Sequence, residues 1–148
     1  MNARERVSRA LRFERPDRAP RDLWTLPGIE MFRQDELADM LERFPRDLAR
    51  PAVEYGRGRQ AEGTRHVVGT YTDEWGCVWH VAEPGVVGEV KGVPLDDWSA
   101  LDNLRPPYEI LNEADFSRVD QSCAETDRFV LAGTTVRPFE RMQFLRGS

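Results

Sequence analysis

Between His66 and Lys91 the hydrophobic period of the chain changes, and that change constrains the fold more than any other feature. His66–Thr72, Trp75–Val81 and Val86–Lys91 are rich in β-branched and aromatic residues, the composition of strands. Glu83-Pro84-Gly85 separates the last two runs and puts Pro then Gly at the centre of a type II turn. The segment predicts an antiparallel hairpin or small meander. On both sides of it the apolar residues recur at helical spacing instead.

Upstream, Asn2 followed by Glu5 reads as a cap and its reciprocal partner, opening a helix that carries Val7, Ala10 and Leu11 on one face and ends at Pro16. Arg18–Trp24 reads as a short strand closed by Pro27-Gly28. Asp35 opens a second helix, with Leu37, Met40, Leu41 and Phe44 in phase and Pro45 as its limit. Downstream, Pro94 to Pro107 reads as an extended connector anchored by Trp98 and Leu101. Asp115 caps a third helix with Phe116, Val119 and Cys123 inward. Phe129–Ala132 is an apolar run short enough for a buried parallel strand. Gly133 and Thr134 turn into a last helix, Pro138 to Arg146, with Pro where its missing N–H costs nothing. Strand alternating with helix is the order of a parallel sheet, so the expected class is α/β. The chain reads as a single incomplete domain over residues 1–148, with an N-terminal helix at 1–16 and a β-hairpin insertion at 64–92. It stops where a next strand is expected.

Composition excludes several classes. The 148 residues carry 26 acidic against 21 basic side chains, a net charge of −5, and 40% are apolar. No apolar run approaches the ~18 residues that span a bilayer, and the N-terminus lacks the apolar stretch of a signal peptide. The expectation is no membrane partner and a cytoplasmic location. Cys77 and Cys123 are too few for a disulfide scaffold. Seven Arg fall within residues 1–21, which carry +4 while the remainder carries −9. Acidic residues interrupt them, no aromatic platform follows, and Pro16 and Pro20 break any long helix. The segment reads as a solvated helix face, with no nucleic-acid partner.

The candidates for chemistry are few. His66, Cys77, His80 and Cys123 are the soft metal ligands, and none shows the paired spacing of a structural zinc site. Gly56-Arg57-Gly58 has no helix pattern behind it and reads as a flexible loop. No G-x-S-x-G elbow is present. The informative stretch is Tyr71-Thr-Asp-Glu-Trp-Gly-Cys-Val-Trp79, with Asp73 and Glu74 at a strand end between aromatic rings. Two readings stand for such a carboxylate. Desolvated against indoles it is a general acid with a raised pKa, and facing solvent it is an ordinary turn residue.

These residues also carry a resemblance. In order along the chain come Asn-Ala-Arg-Glu-Arg-Val at 2–7, Leu11-Arg-Phe-Glu-Arg-Pro-Asp-Arg-Ala-Pro20, Asp73-Glu-Trp-Gly-Cys-Val-Trp79 and Val93-Pro-Leu-Asp-Asp-Trp98. Asp127-Arg-Phe-Val-Leu-Ala-Gly133, Phe139-Glu-Arg and Leu145-Arg-Gly147 follow. The series resembles the uroporphyrinogen decarboxylase-like superfamily, especially its corrinoid-linked methyltransferase branch. The resemblance implies the N-terminal part of a (β/α)₈ TIM-type barrel, about its first three strands. It implies Asp73 as the catalytic residue and Trp24, Gly133 and Phe139 as substrate-binding residues. For the full-length protein it implies zinc, a corrinoid (cobalamin) protein as partner and a small-molecule substrate. The zinc ligands, a His-x-Cys element, would lie beyond Ser148, so the 148-residue chain alone is expected to be inactive. The decarboxylases carry an Arg-rich loop after the first strand, and Trp24–Glu30 at that place has none. A decarboxylase and a non-catalytic remnant or binding module are the alternatives. Open strand edges of a partial barrel imply self-association.

Overall fold

Asn2 caps the first helix as its spacing from Glu5 predicts: its side chain accepts the Glu5 N–H at 2.8 Å in the computed structural model. The structure describes residues 1–133 and 137–147. The chain divides into two compact units, one of Met1–Thr25, Arg33–Glu54 and Asp115–Gly133, the other of Leu26–Phe32, Tyr55–Ala114 and residues 134–148. The class is mixed α/β, with a parallel strand pair in the first unit and a small antiparallel sheet in the second.

In the first unit, α1 (Ala3–Leu11) packs on a strand, Phe129–Val130. That strand pairs in parallel with β1 (Leu48–Ala49), Leu48 opposite Phe129 and Ala49 opposite Val130. The pairing is the one expected for Phe129–Ala132, although its partner was not legible. The stretch Arg18–Trp24 is not a strand. Pro20 has no N–H, the Arg21 N–H goes to the Asp47 carboxylate at 2.7 Å, and the Arg21 carbonyl accepts the Asp47 N–H at 2.8 Å. A side-chain oxygen thus takes the donor that a ladder would need. The helix α1 also ends before Pro16: it stops at Leu11, and Phe13 adopts a left-handed φ of 58°.

The solvated face expected of the N-terminal arginines holds for Arg12 and Arg15, which are exposed, but not for Arg6 and Arg18. Arg6 is 8% exposed. Its guanidinium donates to Asp17 at 2.6 Å and to Asp47 at 2.5 Å, and Arg18 reaches the other Asp47 oxygen at 2.7 Å. Arg4 donates to the carbonyls of Cys123 (3.0 Å) and Thr126 (2.7 Å). These lie in the last turn of a helix, Val119–Glu125, and at its cap, where a cation meets unpaired carbonyls and the negative helix end. Helix periodicity does not show this, because it reports apolar stripes and not which charges find partners.

In the second unit, β2 (Gly69–Thr72), β3 (Val78–Val81) and β4 (Glu89–Gly92) form an antiparallel sheet in that order, with Tyr71 opposite Trp79 and a register irregularity at Val78/Trp79. This is the expected meander. Along β3, Trp79 and Val81 are buried while Val78 and His80 are exposed, the period of a half-buried strand. Gly85 adopts φ 80°, as the turn requires, and its O accepts the Gly28 N–H at 2.8 Å. A Cβ on Gly85 would stand 2.6 Å from the Gly28 Cα, so the helix α2 (Pro27–Phe32) meets the turn backbone to backbone. The core comprises Tyr71, Cys77, Trp79, Val81, Leu95 and Leu145. Trp98 and Leu101 do not anchor the connector. They share one face of a 3₁₀ helix, Trp98–Asn103, and are exposed there, while Leu95 is buried and Leu104 packs against the core. The last helix spans Pro138–Arg146, as its Pro and Gly limits predict.

Candidate functional site

Asp73 follows β2 directly and opens the turn that leads back into β3. Gly76, at φ 83°, lets that turn close, with the Gly76 N–H on the Asp73 carbonyl at 3.0 Å and the Asp73 N–H on the Cys77 carbonyl at 2.9 Å. The side chain points inward and the residue is 2% exposed. Its Oδ1 accepts the N–H groups of Trp75 and Cys77, both at 2.9 Å. Its Oδ2 accepts the indole Nε1–H of Trp79 at 3.0 Å and the Arg141 guanidinium at 2.8 Å.

Burial pushes the Asp73 carboxyl up, but the guanidinium of Arg141, the indole of Trp79 and the Cys77 N–H outweigh it and hold the carboxyl below its ordinary range. The raised pKa expected beside indoles is therefore corrected: the indole edge supplies a donor to the charged form. The solvent-facing turn acid is corrected as well, since both oxygens are occupied out of water. Asp73 accepts four N–H donors, and these favour its charged form.

Around it sits an aromatic and cationic frame. Arg141 lies over the rings of Trp75 and Phe144 at 5.2 and 5.5 Å. Tyr71 and Trp79 stack at 5.8 Å, and Phe144 meets Trp79 edge-on at 4.8 Å. Cys77 donates its S–H to the Phe144 carbonyl at 3.2 Å, and burial together with the Asp73 charge pushes the thiol up to about 12. Such a thiol is neither a nucleophile nor a ready metal ligand at neutral pH.

Glu74 faces elsewhere. It pairs with Arg65, whose guanidinium also lies 5.9 Å from the Tyr71 ring centre, and both border a cavity of about 490 Å³ that Tyr55, Arg57 and Ile110 complete. Gly56-Arg57-Gly58 shapes this cavity and is not simply a flexible connector. A Cβ on Gly58 would fall 2.2 Å from the Glu74 Cβ, and one on Gly56 2.6 Å from the Glu109 carbonyl oxygen. These glycines permit close packing, which a search for phosphate-loop spacing does not detect.

The other expected site residues divide between the units. Trp24, in the first, is 82% exposed. Gly133 ends the described part of that unit, beneath the Arg50 guanidinium, and Thr134 lies outside the described residues. Phe139, in the second unit, is 73% exposed on the last helix, two positions before the arginine that binds Asp73. Arg141 is the residue that sequence reasoning missed. Its signal was its place in Phe139-Glu-Arg, but an isolated Arg on a short helix gives no sign of its partner.

The donor set does not fit zinc. Among the described residues no group of three or more His, Cys, Asp or Glu side chains is placed to hold a metal ion. His66 Nδ1 lies 3.0 Å from the Val86 carbonyl oxygen, and the Cys77 sulfur is occupied as described. Among the described residues no helix is long and apolar enough to cross a membrane. Comparison of the chain with family models, with curated proteins and with solved structures yields no match.

Proposed function

We propose that this chain is the opening portion of a uroporphyrinogen decarboxylase-like (β/α)₈ barrel, of the corrinoid-linked methyltransferase branch, whose zinc and thiol site is supplied by residues following Ser148. The observation that supports it is the way the motifs of the resemblance pair with one another. Arg6 of the first motif binds Asp17 of the second, and both Arg6 and Arg18 meet Asp47 just before β1. Asp73 of the third motif binds Arg141 of Phe139-Glu-Arg. Segments far apart in sequence thus meet as two charge networks. The parallel register of Leu48 with Phe129 agrees with a barrel, whose strands are all parallel.

In this reading the described residues build and hold the frame, and no step of methyl transfer is assigned to them. Asp73 keeps its charge at neutral pH and orients Arg141 and Trp79 and gives up no proton. The exposed ring of Phe139, on the helix that carries Arg141, is offered to substrate.

The test uses the product of the complete reading frame. An in-frame continuation with a His-x-Cys element is expected, and with zinc that product should move the methyl group of methylcobalamin to a thiol, followed by the change in the corrinoid spectrum. A stop codon directly after Ser148, or a complete product that leaves methylcobalamin unchanged, overturns the proposal.

A further inference from the structure

The cavity of about 490 Å³ beside Glu74 lies wholly within the second unit, and neither Asp73 nor Arg141 lines it. Its size is that of a pocket for a small molecule. Two polar groups on it are left open. Tyr71 borders the cavity and is only 6% exposed, and among the described residues its hydroxyl makes no hydrogen bond. Burial pushes this phenol up, so at neutral pH it keeps its proton and can donate it. Glu74, whose side chain is 15% exposed, spends Oε2 on Arg65, and among the described residues its Oε1 takes no hydrogen bond. Arg65 meets both residues, which brings the open donor and the open acceptor to one region of the wall. Buried polar groups are nearly always paired, so the two together call for a partner from outside the chain.

The rest of the wall narrows what that partner is. Arg57 and Arg65 are balanced there by Glu62 and Glu74, so a charged ligand meets no net opposite charge. The surfaces left for an occupant are flat. They are the guanidinium plane of Arg65, the half-exposed ring of Tyr55 and the bare main chain of Gly56, Gly58 and Gly63. A guanidinium plane stacks on aromatic rings, and main chain without side chains lets a flat molecule lie close.

We propose that this cavity binds a neutral planar heterocycle whose edge carries an N–H donor beside an acceptor, the chemistry of a nucleobase. The ligand N–H donates to Glu74 Oε1, its acceptor receives the Tyr71 O–H, and its ring lies against the Arg65 guanidinium. The site rests on the second unit alone and does not depend on the methyl-transfer reading. Its failure leaves that reading standing, and the reverse also holds.

The experiment titrates the ¹⁵N-labelled 148-residue chain with adenine, with glucose and with benzoate at fixed ionic strength, following the backbone amides of Gly63, Thr72 and Glu74. Adenine is expected to give saturable shifts at these amides. Glucose, neutral but not planar, and benzoate, planar but charged, are not. Tyr71→Phe keeps the ring that stacks on Trp79 and removes only the hydroxyl, and Glu74→Gln keeps the size of the side chain. Each should weaken adenine binding about tenfold, the loss of one hydrogen bond. If Glu74→Gln loses the native amide pattern, Tyr71→Phe alone decides. No saturable shift with adenine, binding of glucose or benzoate as tight as that of adenine, or unchanged binding by Tyr71→Phe overturns the proposal.

Discussion

Asp73 has two oxygens and four N–H donors, three of them from its own turn and the strand that follows and one from Arg141. A buried carboxylate with every lone pair engaged is stable only while its partners remain. Replacing it by Asn puts an amide NH₂ where donors already point and removes the counter-charge of Arg141. Asp73→Asn should therefore destabilise the chain by about 3 kcal/mol, where an exposed turn acid changes stability by less than about 0.5 kcal/mol. Urea unfolding followed by tryptophan fluorescence reads this, because Trp75 and Trp79 both donate to that carboxylate. A midpoint equal to wild type would mean that the four donors are satisfied equally well without the charge.

At the scale of elements, Asp47 joins α1, the segment after it and β1, because its carboxylate accepts from Arg6, Arg18 and the Arg21 N–H. Burial pushes the Asp47 carboxyl up, yet the hydrogen bonds from Arg18, Arg21 and Arg6 hold it below its ordinary value. The Arg6 guanidinium bonded to Asp17 does the same there. A carboxyl with a lowered pKa in the folded state binds fewer protons than in the unfolded chain. Its contribution is complete above the unfolded pKa of about 3.9 and is lost as pH falls through the lower folded value. The melting temperature should thus drop steeply below about pH 4. In Asp17→Asn, at a partly exposed position, the drop should be shallower, while the melting temperature at pH 7 falls. Parallel pH profiles for the two proteins would show that this carboxylate is not coupled to folding.

For the molecule as a whole, the exposed apolar side chains are the notable feature. Phe13 is 99% exposed at its left-handed φ, and Leu11, Trp24, Phe139 and Met142 are exposed as well. Each strand of the parallel pair has one ladder neighbour among the described residues, and parallel sheets are usually covered on both faces and continued at both edges. Unpaired N–H and C=O groups beside exposed apolar side chains favour association between copies. Light scattering at rising concentration should report species larger than the 17.1 kDa chain. A monodisperse 17.1 kDa species with a sharp cooperative melt would contradict this.

What the sequence determined by itself is local. The Asn2 cap, the Pro138 start of the last helix, the β-rich runs and the Pro84-Gly85 turn are set by residues within a few positions of one another, through propensity, capping and backbone freedom. The parallel character of Phe129–Ala132 was also legible, from a short apolar run between turn signals. The partner of that strand was not: Leu48-Ala49 is two residues long between Pro45 and Pro51, too short to show a period. Nor did sequence show that Arg6 and Arg18 are spent on Asp47, that Arg141 holds Asp73, or that Gly133 makes room for Arg50. A pKa, a salt bridge or a steric gap depends on distances between residues far apart along the chain. Only the tertiary structure sets those distances, and with them it buried Asp73 and gave both of its oxygens donors.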